Sequence, residues 1–167
     1  AFFESTSGIT TTGATVIENL DAKSHGILIW RALLQWLGGV GIIVMALAVL
    51  PMLSIGGMQL FKTESYETPD KVVPKAASFA AGISIVYITL TVIWAFMLWG
   101  AGMPAFDSIA HAMTTLATGG YSTRSESLAA FNSSTIEIII IFGMLVGSLP
   151  FVHYLALTKN GMKNLIK

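Results

Sequence analysis

Two Thr-Gly stretches, "SGITTTGATV" (residues 7 to 16) and "MTTLATGGYST" (113 to 123), each stand shortly before an apolar run. Neither offers a nucleophile with a base beside it or a set of metal-ligating side chains. What they offer is oxygen. A dehydrated alkali cation must exchange its water shell for other oxygens, and a ring of backbone carbonyls supplies them. Glycine permits the backbone angles that aim successive carbonyls inward. Threonine adds a hydroxyl oxygen and a β-branched body that stiffens the loop. A carboxylate ring would suit looser cation selection; neither core contains one, although Glu4 and Glu126 flank them. One such loop alone reads as a polar turn. Two at equivalent places in a repeated plan point to an ion path.

The elements that would position these loops are apolar and long. Of the 167 residues 54% are hydrophobic and only 11% charged, against about a quarter charged in a soluble domain. Three segments, about 32 to 53, 76 to 102 and 136 to 157, reach the roughly 20 residues that cross a bilayer. Gln35 interrupts the first, the second has no charge, and the third carries Glu137 and His153 near its ends. No amphipathic helices remain to cover them as the buried core of a soluble protein. Between the second and third lies "PAFDSIAHAMTTLAT" (104 to 118), with Asp107 as the expected N-cap. It is too short to span, as re-entrant segments are. Non-helical backbone at membrane depth survives only where protein buries it or water lines it. Span, half-helix, Thr-Gly loop and span form the pore-loop plan, and the half-helix directs its negative C-terminal end at a cation.

Charge sets the orientation. Lys62, Lys71 and Lys75 follow the first span, and Lys159, Lys163 and Lys167 follow the third. By the positive-inside rule both places are cytoplasmic, so both Thr-Gly clusters lie at the outer ends of their spans. Set against itself with Gly13 on Gly119, the chain pairs Thr12 with Thr118 and the first span with the third. That divides it into the end of one pore unit (1 to 60), a cytoplasmic linker (61 to 75) and a complete unit (76 to 167). The opening "AFFESTSG" begins in mid-pattern, as a piece of a longer protein would.

"WRALLQWLGGVGIIVMALAVLP" (30 to 51), "IGGMQLFKTES" (55 to 65), "HAMTTLATGGYST" (111 to 123) and "GSLPFVHY" (147 to 154) resemble the membrane subunit of the bacterial Trk/Ktr potassium uptake systems, of the TrkH type. The resemblance covers essentially the whole chain. It implies an all-α, potassium-channel-like fold of four span–loop–span repeats, with the later part of the second and all of the third present here. It implies one filter glycine per repeat, matched by position to Gly13 and Gly119, with Gly120 as the alternative. The carbonyls of Thr10, Thr11 and Thr12, and of Leu116, Ala117 and Thr118, would then share the potassium sites. It further implies an inner-membrane homodimer, each protomer with its own pore, served by a cytosolic nucleotide-binding regulatory subunit. In "FGMLVGSLPF" (142 to 151), Gly143, Gly147, Ser148 and Pro150 break the third span. Packing around a proline kink is one reading; the resemblance implies a gate below the filter. Relatives often carry paired glycines where this chain has Gly147 and Ser148.

Other residues are read more plainly. Gly38, Gly39 and Gly41 lie within an apolar helix with no strand before them, which favours close helix packing over dinucleotide binding. His25, His111 and His153 are too dispersed for a metal site, and His111 follows Asp107 by one helical turn, as for a structural hydrogen bond. Arg31 reads as an interfacial anchor, with the outer vestibule as the alternative. The spans hold no aspartate, and Ser148 with His153 are badly placed for hydrolysis, so the chain is not read as an enzyme. With no net charge and no basic cluster it is not a nucleic-acid binder either. A non-conducting multi-pass scaffold or receptor-like protein is the remaining alternative, and it would not need the repeated half-helix and loop.

Overall fold

The computed structural model describes residues 1–53, 72–151 and 153–154. Five helices account for most of them: α1 (Phe2–Ile9), α2 (His25–Leu53), α3 (Val72–Gly100), α4 (Ala105–Leu116) and α5 (Ser134–Ser148). Short 3₁₀ turns at Leu20–Ala22 and Ser127–Phe131 precede α2 and α5. There is no strand among the described residues. Lys62, Lys71, Lys159, Lys163 and Lys167, on which the orientation argument rests, lie outside the described residues, as do most of the expected linker and residues 158 to 167.

The α3 sequence explains its placement. Its Ala80–Gly100 portion is long and apolar enough to cross a membrane, with a mean hydropathy of 2.1. Ile83, Tyr87, Trp94 and Leu98 share one helical face and are buried, whereas Ile85, Phe96 and Trp99 on other faces are more than half exposed. A helix apolar all round with only one face covered by protein suits lipid on the others. Its aromatic donors are satisfied internally: Tyr87 donates to the Trp36 carbonyl, and the Trp94 indole donates to the Ile139 carbonyl.

The short α4 lies against α2, α3 and α5. Its start corrects the expected cap: Pro104 occupies the N-cap position and Asp107 lies in the first turn. Met103, Ala112 and Leu116 join the core with Ile83, Tyr87, Leu98, Ile140 and Phe151. One further boundary differs from expectation. The stretch before the first Thr-Gly loop is helical, forming α1, and α2 begins at His25, several residues before the apolar run. The third span breaks after Ser148, where Leu149 is extended (ψ 142°) ahead of Pro150, as the residue before proline prefers, and Phe151, His153 and Tyr154 are again helical.

Candidate ion-binding site

Both Thr-Gly loops are helix endings of one design. In the first, Thr11 N–H donates to Gly8 O and Thr12 N–H to Ser7 O; in the second, Thr118 N–H donates to Thr115 O and Gly119 N–H to Thr114 O. This paired pattern is the Schellman motif, which requires a left-handed residue just beyond the helix and usually places glycine there. Here that residue is threonine both times, Thr11 with φ 55° and Thr118 with φ 52°. A β-branched residue with positive φ is an outlier, and each costs about 1–3 kcal/mol. A second positive φ follows at Gly13 (77°) and Gly120 (82°).

Every one of these correspondences carries Thr10 onto Ala117 and Gly13 onto Gly120. The sequence pairing of Gly13 with Gly119 is therefore out of register by one residue. Gly119 has no positive φ; its need for glycine is steric, since a Cβ there would overlap the Gln35 side chain. Gly120 has the left-handed backbone instead, with open space around it. Leu116 corresponds to Ile9, and the carbonyls of both abut a glycine of the following helix. A Cβ on Gly147 would stand 2.8 Å from Leu116 O, and one on Gly38 would overlap Ile9 O. That is close helix packing, as expected of Gly38. The two loops also meet. A Cβ on Gly13 would overlap the Gly119 carbonyl oxygen, so backbone touches backbone where the loops cross.

Polar side chains tie the loops together. Buried Glu4 on α1 accepts from Thr15 Oγ1 at 2.9 Å, Val16 N at 3.1 Å and Arg31 Nε at 2.7 Å. Burial alone would raise the Glu4 pKa, but these donors outweigh it and hold the carboxyl below its ordinary value. Arg31 also donates to Thr15 Oγ1 and, at 3.0 Å, to the Ser122 carbonyl. Its guanidinium lies 4.0 Å from the Tyr121 ring centroid. At 3% exposure it is no interfacial anchor; it joins the segments that follow both loops. The corresponding place on α4 holds His111, bonded to Ser122 Oγ at 3.1 Å as Glu4 is to Thr15. The expected hydrogen bond between His111 and Asp107 is present, with the ring's Nδ1 donating to the Asp107 carbonyl. The Asp107 carboxylate accepts from Thr123 Oγ1 and Arg124 Nη2, each at 2.6 Å.

The residue that sequence reasoning passed over is Gln35. It is fully buried, donates from Nε2 to Gly119 O at 2.9 Å and accepts at Oε1 from Tyr121 N at 3.1 Å. Its signal was present: a lone amide in an apolar span is costly and tends to be functional.

The break in the third span occurs where Ser148 and Pro150 mark it. Helix resumes beyond it at Phe151, His153 and Tyr154, with His153 N donating to Pro150 O at 3.0 Å, and Tyr154 Oη donates back to Val146 O at 2.9 Å. Gly143 faces Trp94 and Thr115, and Gly147 faces Leu116, so both serve the contact with α3 and α4. Ser148 and Pro150 are exposed. No group of three or more potential metal-ligating side chains occurs among the described residues.

The described residues form a helical protein with paired Schellman loops crossing at their glycines, beside a helix long and apolar enough to cross a membrane. The family model for TrkH, described as a cation transport protein, matches residues 1–167, and the chain belongs to that family. It is 46% identical over 166 residues to the Trk system potassium uptake protein TrkH of Salmonella typhimurium and 45% identical to that of Escherichia coli K12. Each alignment covers 98% of this chain and 34% of the relative, so the chain spans about a third of their length. It is also similar to the crystal structure of the potassium transporter TrkH from Vibrio parahaemolyticus, with TM-score 0.81 and 41% identity over 96% of this chain and 31% of that one. These relatives are uptake proteins, in agreement with the reading of the chain as a transporter rather than an enzyme.

Proposed function

We propose that this chain forms half of a four-loop potassium filter in an inner-membrane uptake protein. The observation that carries the reading is the recurrence of one strained loop at the ends of two helices, with the loops meeting at Gly13 and Gly119. Strain at a β-branched residue persists only where the surroundings enforce it, and such outliers cluster at functional sites. In this reading Thr10 to Gly13 and Ala117 to Gly120 line the ion path. The C-terminal partial negative charges of α1 and α4 converge on it. Potassium sheds water against the carbonyls and moves passively down its electrochemical gradient, with no chemical step.

Two further loops, supplied by parts of the protein outside this sequence, complete the ring. Residues 1 to 60 end one pore unit and 76 to 167 form the next, with 61 to 75 and 158 to 167 on the cytoplasmic side. The break around Ser148 and Pro150 acts as the gate. The whole protein is a homodimer in the lipid bilayer, regulated by a cytosolic nucleotide-binding subunit, as the family resemblance implies. The test is rubidium uptake by the full-length parent in cells lacking other potassium uptake. Uptake that potassium competes away and sodium does not is expected. Absence of uptake from a correctly inserted protein would leave the scaffold reading in its place.

A further inference from the structure

We infer that Gln35 is a positioning residue of the filter, holding the second loop in its ion-competent form from the span of the preceding unit. The inference rests on the reading of the loops as a filter. Gln35 lies on α2 and Gly119 and Tyr121 lie beyond α4, far apart in sequence, yet one side-chain amide engages both. Its Nε2 donates to the Gly119 carbonyl and its Oε1 accepts from the Tyr121 N–H. The peptide planes on both sides of Gly120 are thereby fixed by a single planar group.

Packing at Gly120 itself does not do this. Around Gly120 there is open space, no atom lying within 4 Å of where its Cβ would be, so packing does not set its left-handed angle. Glycine also reaches other angles as readily as this one. A two-point hydrogen bond is what selects among them. The site is reserved for the amide: a Cβ at Gly119 would occupy the volume of its Cδ and Oε1. One turn before it on the same helix face, Arg31 holds a carbonyl three residues further on, that of Ser122. The α2 helix thus grips the backbone from Gly119 to Ser122. Selectivity in the second loop depends on a residue that the first unit contributes.

The chemistry requires one donor and one acceptor at a fixed reach. Gln35→Met keeps length and volume but loses both. Gln35→Glu keeps the acceptor and, when ionised, sets an oxygen against the Gly119 carbonyl. Gly119→Ala leaves Gln35 intact but fills its place. In the full-length parent, rubidium uptake is measured against increasing sodium. Trp36→Phe, which removes a bond from α2 to Thr91 on α3, serves as a packing control.

Each of the three variants should lower the rubidium-over-sodium preference by about tenfold, the scale of one or two lost backbone hydrogen bonds. Gln35→Met combined with Gly119→Ala should lower it no further than either alone, because both act on one contact. The control should keep the wild-type preference whatever its yield. Wild-type preference in Gln35→Met or Gln35→Glu overturns the inference, and so does full additivity in the double variant. If both Gln35 variants fail to insert while the control inserts, Gln35 is a folding residue and the inference is likewise overturned. An inactive wild-type protein would instead count against the filter reading itself.

Discussion

At the scale of single residues, three glycines in two loops answer to three different constraints, and substitution should separate them. Gly13→Ala places a methyl into the Gly119 carbonyl and also strains a positive φ, so it should disrupt both loops. Gly119→Ala collides only with Gln35. Gly120→Ala meets no neighbour and carries only the left-handed penalty of about 1–2 kcal/mol. The expected order of lost rubidium-over-sodium preference is Gly13 first, then Gly119, then Gly120. Equal losses at all three would mean that local contacts do not set selectivity. The threonines give the opposite sign for stability. Thr118→Gly removes an unfavourable β-branched φ and should raise the melting temperature of the purified parent, by up to about 1 kcal/mol in stability, while weakening selectivity. A melting temperature that falls would show that the Thr118 side chain contributes more than its backbone costs. The two loops were legible in the sequence as a pair because the same Thr-Gly pattern recurs shortly before two apolar runs. The register was not. Adjacent glycines at 119 and 120 both satisfy a Thr-Gly pattern, and only the folded backbone gives one the left-handed angle and the other its steric need. Gln35 was legible as an oddity but not as a clamp, since its partners lie on the far loop.

At the scale of elements, α4 and the end of α5 carry the arguments. His111 on α4 is buried, which lowers its pKa from the ordinary 6.5, with the nearby Arg124 charge acting the same way and Asp107 opposing both. With Nδ1 donating to a carbonyl, the neutral ring leaves Nε2 to accept from Ser122. Because the unfolded chain binds this proton more readily, stability is full above about pH 6.5 and falls as the pH drops below it. The melting temperature of the full-length parent should decline from pH 7 to 5.5, and His111→Gln should flatten that slope. An unchanged slope would assign it to another group; Glu4, held below 4.5, loses its contribution only in more acid solution. The break in α5 needs a more selective test than removing all its helix breakers. An alanine at Gly147 would press on Leu116 O at 2.8 Å and disturb the second loop directly. Ser148→Ala with Pro150→Ala favours continuous helix and spares that contact. Raised basal flux with unaltered selectivity is expected if the break gates the path; unchanged flux with unchanged dependence on the regulatory partner would make it packing. The interruption could be placed from sequence because proline dictates it. The role of Gly143 and Gly147 against α3 and α4 could not, because it depends on which face of α5 meets them.

At the scale of the whole molecule, the surface of the chain indicates what surrounds it. Ile138, Ile141, Phe142, Met144 and Leu145 on α5 are each more than half exposed, as are Phe96 and Trp99 on α3. Lipid can cover such faces, but it cannot satisfy the loops. Thr10, Thr12 and Thr118 are exposed, and an unsatisfied backbone group in hydrocarbon costs several kcal/mol. Two loops cannot enclose a cation. Two copies of the fragment would bring four loops together, yet each would present two unlike units in place of four distinct ones. Residues 1 to 167 reconstituted alone in liposomes should therefore associate or misfold and take up no rubidium, whereas the full-length parent under the same conditions should take it up selectively. The comparison is informative because both samples contain every residue of the two loops. Potassium-selective uptake by the fragment would mean that Thr10 to Gly13 and Ala117 to Gly120 suffice when doubled, and that the rest of the parent protein is not required to close the ring.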